Sequence, residues 1–203
     1  SPAGSGIGTG LALPEARQGH TATKLSTGNV LFVGNSGVNS AAAKLLSYNS
    51  NTPTNSAWTL AGTMTNTRYN HSAVVLNDNR VLVTGGFGSQ TGTSKSAEIY
   101  APTSNLWASA TPMATDRALH TSTKLLDGRV LVVGGYDGLK ALTTIEIYDP
   151  SNDTWTAPSA SKVLNTARAM HSSSLLSSGD VLIVGTYFQT SGTISKTSEI
   201  WRH

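Results

Sequence analysis

The sequence predicts an all-β protein built from four repeats of about fifty residues each. Three features recur in a fixed order: an Arg-x-x-His pattern, an apolar run that begins ten positions after the His, and an aromatic residue further on. Successive histidines are 51, 49 and 51 positions apart, and self-similarity at such a period indicates a repeat architecture. The motif pairs are Arg17 and His20, Arg68 and His71, Arg117 and His120, and Arg168 and His171.

Each repeat contains four short strand candidates separated by turns. In the second repeat the first candidate starts at His71, and the second starts at Val81 after the polar turn 77–79. The second candidate is almost wholly apolar, which is typical of a strand covered on both faces. The third carries Glu-Ile-Tyr, the fourth starts at a Trp, and helical periodicity is absent, so we predict an all-β fold. The third-strand aromatics are Tyr48, Tyr100, Tyr148 and Trp201, and the fourth-strand aromatics are Trp58, Trp107 and Trp155.

Glycine follows the second strand candidate of every repeat. Repeats two and three have the pairs Gly85–Gly86 and Gly134–Gly135, which allow a tight bend because Gly tolerates positive φ. Repeat one has Gly34–Asn35 and repeat four has Gly185–Thr186. Asn still visits the left-handed region, whereas Thr does so poorly. We therefore expect a less regular bend in repeats one and four.

The Gly-Gly pair after the second strand, followed by a spaced Tyr and Trp, resembles the kelch repeat, and the resemblance covers essentially the whole chain. Kelch repeats form four-stranded antiparallel blades of a β-propeller. The resemblance therefore implies a single β-propeller domain over residues 1–203, with four blades per chain. The repeats span approximately 17–67, 68–116, 117–167 and 168–203.

The two ends of the chain predict how the propeller closes. The fourth repeat stops directly after its third strand, while Ile7 lies ten positions before Arg17, as Trp58 lies ten before Arg68. Residues 6–13 are therefore predicted to be an N-terminal strand that completes the last blade, which removes exposed sheet edges. Three arrangements remain open: one chain closes as four blades, two chains exchange strands in an eight-bladed homodimer, or the blades belong to a longer propeller.

Composition argues against several classes of partner and cofactor. A net charge of +3 over 203 residues, without a basic run, predicts no nucleic-acid or membrane surface. The chain has no Cys, so disulfides and thiolate metal sites are excluded, and no cofactor is expected. Glycosylation motifs occur at Asn70 and Asn152, of which only Asn152 is expected to be accessible. A secreted or extracellular location is the expectation.

An enzymatic role is not indicated. Copper radical oxidases that resemble galactose oxidase carry their site on a kelch propeller, but their radical cofactor needs a Tyr crosslinked to a Cys, which this chain lacks. No Ser-His-Asp or paired-carboxylate arrangement accompanies any one motif, and the Asp residues fall in predicted turns. We therefore predict a binding or interaction module, with a purely structural, minimal or engineered propeller as the alternative.

The repeated arginines are the first candidates for a ligand site. In kelch domains that bind acidic peptides, arginines at this motif position line the mouth of the central channel, so the resemblance implies a ring that suits a carboxylate, phosphate or sulfate. The arginines are Arg17, Arg68, Arg117 and Arg168. Alternatively, each bonds to backbone carbonyls or to a third-strand carboxylate, at Glu98, Glu146 or Glu199. Repeat one has Leu46 in that position, so Arg17 or its neighbour is expected to be freer than the others.

Aromatic residues after the glycines are the second candidates: Phe87, Tyr136 and Tyr187, with Ser36 in their place in repeat one. In the same peptide-binding relatives a Tyr at this position faces the ligand. The loops that follow are rich in Ser, Thr and Gly, which suits a carbohydrate, while ordinary loop packing explains these aromatics equally well. The expected partner is thus a protein, a peptide or a glycan.

The repeated histidines are candidates for a metal ring, because imidazole is the commonest metal ligand. They are His20, His71, His120 and His171. A residue that recurs in every blade more often does the same structural job in each, and here that job is a ring N–H bonded to a neighbouring backbone carbonyl. We therefore predict no metal site and keep the ring as an alternative.

Overall fold

The structure, a computed structural model, describes residues 12–36, 41–48, 56–88, 92–158, 163–188 and 193–202, without the side chains of 186–188 and 193–195. It is all-β, as predicted, and its strands form four main antiparallel sheets, which we call blades 1 to 4 in chain order. Within each blade the chain passes from one strand to its neighbour, because short apolar runs alternate with polar turns.

The strands of the four blades have the following bounds. Blade 1 consists of β1 (Thr21–Lys24), β2 (Val30–Val33), β3 (Ala42–Ser47) and β4 (Ala57–Thr63). Blade 2 consists of β5 (Ser72–Val75), β6 (Val81–Thr84), β9 (Ala97–Ala101) and β10 (Leu106–Ala110), with a small hairpin of β7 (Phe87–Gly88) and β8 (Gly92–Thr93) after β6. Blade 3 consists of β11 (Thr121–Lys124), β12 (Val130–Val133), β13 (Ile145–Asp149) and β14 (Thr154–Thr156). Blade 4 consists, within the described residues, of β15 (Ser172–Leu175), β16 (Val181–Phe188) and β17 (Thr193–Trp201).

Apolar side chains pack between successive blades. Leu31 and Val33, on one face of β2, share a buried cluster with Val81 and Val83 of β6. Equivalent clusters join blade 2 to blade 3 and blade 3 to blade 4. The first strands contact one another in the order β1, β5, β11 and β15, so they are the inner strands of the blades. The second strands are apolar on both faces because an interior blade has a neighbour on each side.

The Gly-Gly pair is required by its positive φ angles and by the close approach of neighbouring carbonyl oxygens. Gly85 and Gly86 have φ angles of 61° and 98°, and the Gly86 amide donates to the Arg117 carbonyl of the next blade at 2.9 Å. A Cβ at Gly85 would collide with that same carbonyl oxygen, and one at Gly86 would lie 2.8 Å from the Tyr69 carbonyl oxygen. Any side chain here is therefore excluded by sterics as well as by the left-handed backbone.

The bend in blade 4 is irregular, as the sequence predicts. β16 continues past Gly185 and pairs with the start of β17, with a register shift between Val184 and Thr186. Thr186 stands at the second Gly position, where a β-branched residue disfavours the left-handed conformation. The two strands therefore extend into a long hairpin. In blade 1, by contrast, the Asn35 amide keeps the bond to the next blade and donates to the Arg68 carbonyl at 3.1 Å.

The third strand of blade 1 is offset from the prediction. β3 pairs Leu46 with Val30, and this is the register position that Tyr100 holds in blade 2. Tyr48 therefore lies beyond the aromatic position and is exposed, so its predicted role there is wrong. The physical reason is the β2–β3 register, which pairs Lys44 with Phe32 and so places Lys44 where Glu98 pairs with Val83 in blade 2.

Closure of the propeller lies outside the described part of the chain. Blade 4 has three strands there, and of the N-terminal strand predicted at 6–13 only residues 12 and 13 are described. In the same described ranges we find no helix with the length and hydrophobicity needed to cross a membrane.

Candidate functional site

The repeated arginines of blades 2, 3 and 4 are bonded within their own blades. Arg68 is representative: Nη1 donates to the Gly85 carbonyl at 2.8 Å, and Nη2 donates to the Glu98 carboxylate at 2.7 Å and to Ser96 Oγ at 3.1 Å. The equivalent bonds join Arg117 to Gly134 and Glu146, and Arg168 to Gly185 and Glu199. These arginine side chains are only 0–1% exposed. Each of blades 2, 3 and 4 thus contains a buried Arg–Glu clasp.

The glutamate of each clasp also holds the segment that enters the blade. Glu98 accepts the backbone N–H of Thr65 at 2.7 Å and of Asn66 at 3.1 Å, and Glu146 and Glu199 accept equivalent pairs. Burial lowers the pKa of Arg68, and the adjacent Glu98 opposes that shift. For Glu199, burial raises the pKa, but hydrogen bonds from backbone amides and from Arg168 bring it below its usual value. The Glu199 carboxylate is therefore ionised at neutral pH, and the arginine keeps its charge because a guanidinium is not deprotonated in proteins.

Blade 1 uses a different pair of charges. Arg17 Nη1 donates to the Gly34 carbonyl at 3.1 Å, and Nη2 lies 3.4 Å from Glu15 Oε2. Glu15 also pairs with Lys44 at 3.3 Å, so one carboxylate serves the Arg and the Lys that replaces the repeated Glu. The Arg17 side chain is fully buried, so the expectation that it is freer than the other arginines is wrong.

The four guanidinium groups therefore bond mainly to carbonyl and carboxylate oxygens of their own blades. This is the arrangement expected if the arginines fasten the repeat. Ligand capture by an arginine ring stays a prediction, and it requires these groups to leave buried partners.

The repeated histidines join neighbouring blades. In three of the four, Nε2 of the ring lies 2.8 to 2.9 Å from a Thr hydroxyl of the preceding blade. The pairs are His71 with Thr21, His120 with Thr84, and His171 with Thr121. The sequence predicts that each ring bonds to a neighbouring backbone carbonyl. The bond joins the ring to a neighbouring blade, but its partner is a Thr hydroxyl, because a Thr faces each of these three rings from the adjacent blade.

Burial keeps these imidazoles neutral. It lowers the pKa of His71 to about 3 and that of His171 to about 4, and the charge of the Arg in the same motif adds to both shifts. The pKa of His120 is well below its usual value for the same reasons. Across the residues that the structure describes, no three His, Asp or Glu side chains are grouped as metal ligands.

Three aromatic side chains of blades 2 and 3 form a contacting row, which we call the aromatic row: Tyr69, Phe87 and Tyr136. The ring centroids of Tyr69 and Phe87 are 5.3 Å apart, and those of Phe87 and Tyr136 are 6.3 Å apart. Phe87 exchanges two backbone hydrogen bonds with Tyr69, and Tyr136 exchanges two with Ala118. All three side chains are half-buried. The side chain of Tyr187, the third predicted aromatic, is outside the described part.

The residue immediately before the His of each motif adopts a left-handed conformation. We call these residues the mouth arc: Gly19, Asn70, Leu119 and Met170, with φ between 52° and 67°. Backbone hydrogen bonds run along it from blade to blade, from Met170 to Leu119, from Leu119 to Asn70, and from Asn70 to Gly19, at 2.7 to 2.9 Å. A left-handed Leu or Met costs about 1–2 kcal/mol, and strain of this kind clusters at functional sites.

Tyr69 and the mouth arc were missed in the sequence. A signal was present, because Gly19 and Asn70 are residue types that favour positive φ and both stand immediately before the motif His. In the other two repeats the position is occupied by Leu119 and Met170, residue types that do not favour positive φ. There, backbone hydrogen bonds to the neighbouring blades hold the left-handed conformation.

Repeated antiparallel blades, of which blades 2, 3 and 4 each contain one Arg–Glu clasp, define a blade-type repeat protein. Comparison with family models matches residues 9–201 to the KLHDC2/KLHL20/DRC7 kelch-repeats domain. The chain therefore belongs to the kelch-repeat family. Kelch domains generally mediate protein–protein interactions and are typically binding or adaptor modules rather than enzymes. No curated protein matches the chain.

Proposed function

We propose that the chain is a protein-interaction module that binds a peptide segment of its partner on the aromatic row and the adjacent mouth arc. The observation that carries this proposal is the aromatic row itself, three contacting rings that remain partly accessible on a hydrogen-bonded backbone. Aromatic side chains supply large contact area with few rotatable bonds, and they dominate the binding energy of protein interfaces.

The charges near this surface favour an apolar or aromatic side chain of the partner over an acidic one. Arg68 and Arg117 are buried and neutralised by Glu98 and Glu146, so their charge is not offered to a carboxylate at the surface. Met170 in the mouth arc is exposed, and Met adapts readily to varied apolar partners. An acidic peptide held by arginines and a carbohydrate held by the loops are the competing ligands.

Phe87→Ala is expected to weaken peptide binding by at least about tenfold, because Phe87 contacts both other rings of the row. The probes are peptides selected on the wild-type protein from a random phage-displayed library, and affinity is measured by fluorescence anisotropy. Leu106→Ala is the matched control, since Leu106 is an exposed apolar residue on the outermost strand of blade 2 and is expected to leave affinity unchanged.

Three results would contradict this function. Equal affinity for the Phe87→Ala protein, with an unchanged melting temperature, would remove the aromatic row from the binding site. Affinity that falls steeply with added salt would point to the arginines instead, because charge–charge attraction is screened. Binding on a glycan array without any enriched peptide would point to a carbohydrate.

We also propose that residues 6–13 supply the fourth strand of blade 4. Trp201 holds the register position at which Tyr100 pairs with the fourth-strand Trp107 in blade 2, and no described strand lies beside it on that edge. Deleting residues 1–11 is expected to lower the melting temperature by at least about 5 °C, measured by calorimetry. An unchanged melting temperature would show that these residues are not part of the blade.

A further inference from the structure

Blade 4 leaves one apolar sheet face uncovered. Ile200 and Val184 are 50% and 41% exposed. Their counterparts by register in blade 3 are Ile147 and Val133, which are only 7% and 0% exposed because blade 4 packs over them. The face of blade 4 thus has the residues of an interior blade contact, but among the described residues no blade packs on it. Exposed apolar patches of this kind mark interaction surfaces.

Blade 1 leaves the complementary face uncovered. Val30 and Phe32 of β2 are only half-buried, whereas their counterparts in blade 2, Val81 and Val83, are fully buried against blade 1. β1 likewise exposes Ala22, while every residue of the interior strand β5 is half-buried. The two open faces are therefore the two halves of a contact that occurs three times within the chain.

Backbone hydrogen-bonding groups of blades 1 and 4 also lack the partners that their counterparts in interior blades have. The mouth arc begins with the Gly19 amide and ends with the Met170 carbonyl, and neither has a backbone partner among the described residues. Blade 1 thus has a backbone donor, and blade 4 a backbone acceptor, at the position where an interior blade bonds its neighbour.

We propose that a second copy of this chain covers both faces, with blade 1 of each copy packed on blade 4 of the other in a two-fold ring of eight blades. Both faces are exposed at the same time in a single chain, so its own blade 1 does not cover its blade 4. A head-to-tail contact that is used twice closes on itself and leaves no face open. The donor at Gly19 and the acceptor at Met170 would then meet their partners in the other copy.

The first test is a native mass spectrum of the 203-residue chain. The expected mass is twice 21.1 kDa. A mass of 21.1 kDa would overturn the proposal, and so would a ladder of higher multiples, because it would show that the head-to-tail contact does not close into a pair.

Two single variants test which faces meet. Val184→Asp places a charge on the blade 4 face and Phe32→Asp places one on the blade 1 face, and each alone is expected to give monomers. Mixing the two proteins is expected to restore pairs, because one intact blade 1 face and one intact blade 4 face remain. Mixtures that stay monomeric would contradict the head-to-tail contact. Leu106→Asp, at an exposed apolar position on neither face, is the control and is expected to stay paired.

Engineered cysteines distinguish a contact between two copies from a contact of blade 1 with blade 4 within one chain. At the contact of blades 3 and 4, Thr123 Oγ1 lies 2.6 Å from Ser173 Oγ, and the repeat-equivalent positions at the proposed contact are Ser174 and Ala22. Since the chain has no native Cys, the Ser174→Cys, Ala22→Cys double variant is expected to form a covalent pair on oxidation, while Ala22→Cys alone does not. A disulfide within a single chain, or two free thiols, would overturn the proposal.

Failure of this proposal would leave the proposed function standing. Tyr69, Phe87 and Tyr136 belong to blades 2 and 3 of one chain, so peptide binding at the aromatic row does not require the second copy.

Discussion

Glu146→Ala is expected to lower the free energy of unfolding by about 3–5 kcal/mol, because removing one member of a buried ion pair leaves the other charge uncompensated. Glu146 and Arg117 are both buried, and the same carboxylate accepts the backbone amides of Ala114 and Thr115. The substitution therefore strands a guanidinium and two N–H groups at once. Urea unfolding at pH 7, followed by tryptophan fluorescence, measures the change.

Two further variants show whether the loss comes from the clasp. Asp127→Ala breaks the pair with Arg129, in which both side chains are about a third exposed, and is expected to cost at most about 1 kcal/mol. Replacing both clasp residues, as Arg117→Met with Glu146→Leu, is expected to recover the part of the loss that comes from the buried charge, while the amides of Ala114 and Thr115 stay without their acceptor. If Glu146→Ala costs no more than Asp127→Ala, the clasp does not stabilise the blade, and the repeated arginines regain a possible role in ligand capture.

Local sequence patterns predict the strands of an interior blade closely. The candidates of the second repeat begin at His71, Val81 and Trp107, within one residue of the starts of β5, β6 and β10. This agreement arises because every interior blade has to pack between two neighbouring blades in the same way. A run that is apolar on both faces must lie between two neighbours, and a Gly-Gly pair must follow where the next blade's carbonyl leaves no room for a Cβ.

The exceptions are features that depend on distant or irregular contacts. Lys44 takes the Glu position of blade 1 because the β2–β3 register pairs it with Phe32, which no local pattern reveals, and its partner Glu15 lies outside the repeat motif. The aromatic row likewise depends on the stacking of Tyr69 on Phe87, 18 positions away in the chain. The number of blades in the assembled ring is also absent from the pattern, because every repeat offers the same two faces.

Acidification from pH 7 to pH 5 is expected to lower the free energy of unfolding by up to about 6 kcal/mol, a large share of the stability of a typical domain. The cause is the set of three buried imidazoles, His71, His120 and His171. Burial is the main reason for their lowered pKa values, and the arginine of the same motif adds to it in each case.

The direction follows from the pKa values of the two states. In the unfolded chain a His titrates near pH 6.5, and above that pH both states are neutral, so these residues add no pH dependence. Below it, and down to the folded pKa values of about 3 for His71 and about 4 for His171, only the unfolded chain takes up protons. Each His then lowers the free energy of unfolding by about 1.4 kcal/mol per pH unit. The carboxylate of Glu199, whose pKa is lowered, loses its contribution only in the more acidic range where unfolded carboxylates protonate.

His120→Gln is expected to remove about one third of this slope between pH 6.5 and 5, since one of three equivalent groups no longer titrates. The Gln amide can still reach the Thr84 hydroxyl that the imidazole now bonds, so the contact between blades 2 and 3 is retained. Urea unfolding at a series of pH values measures the slope, and Asp127→Ala is the control, because it changes an ion pair that is partly exposed and leaves the three buried imidazoles in place. If the free energy of unfolding of the His120→Gln protein falls with pH as steeply as that of the wild type, His120 takes up protons in the folded state. Its ring would then have to be accessible to solvent rather than buried between the blades.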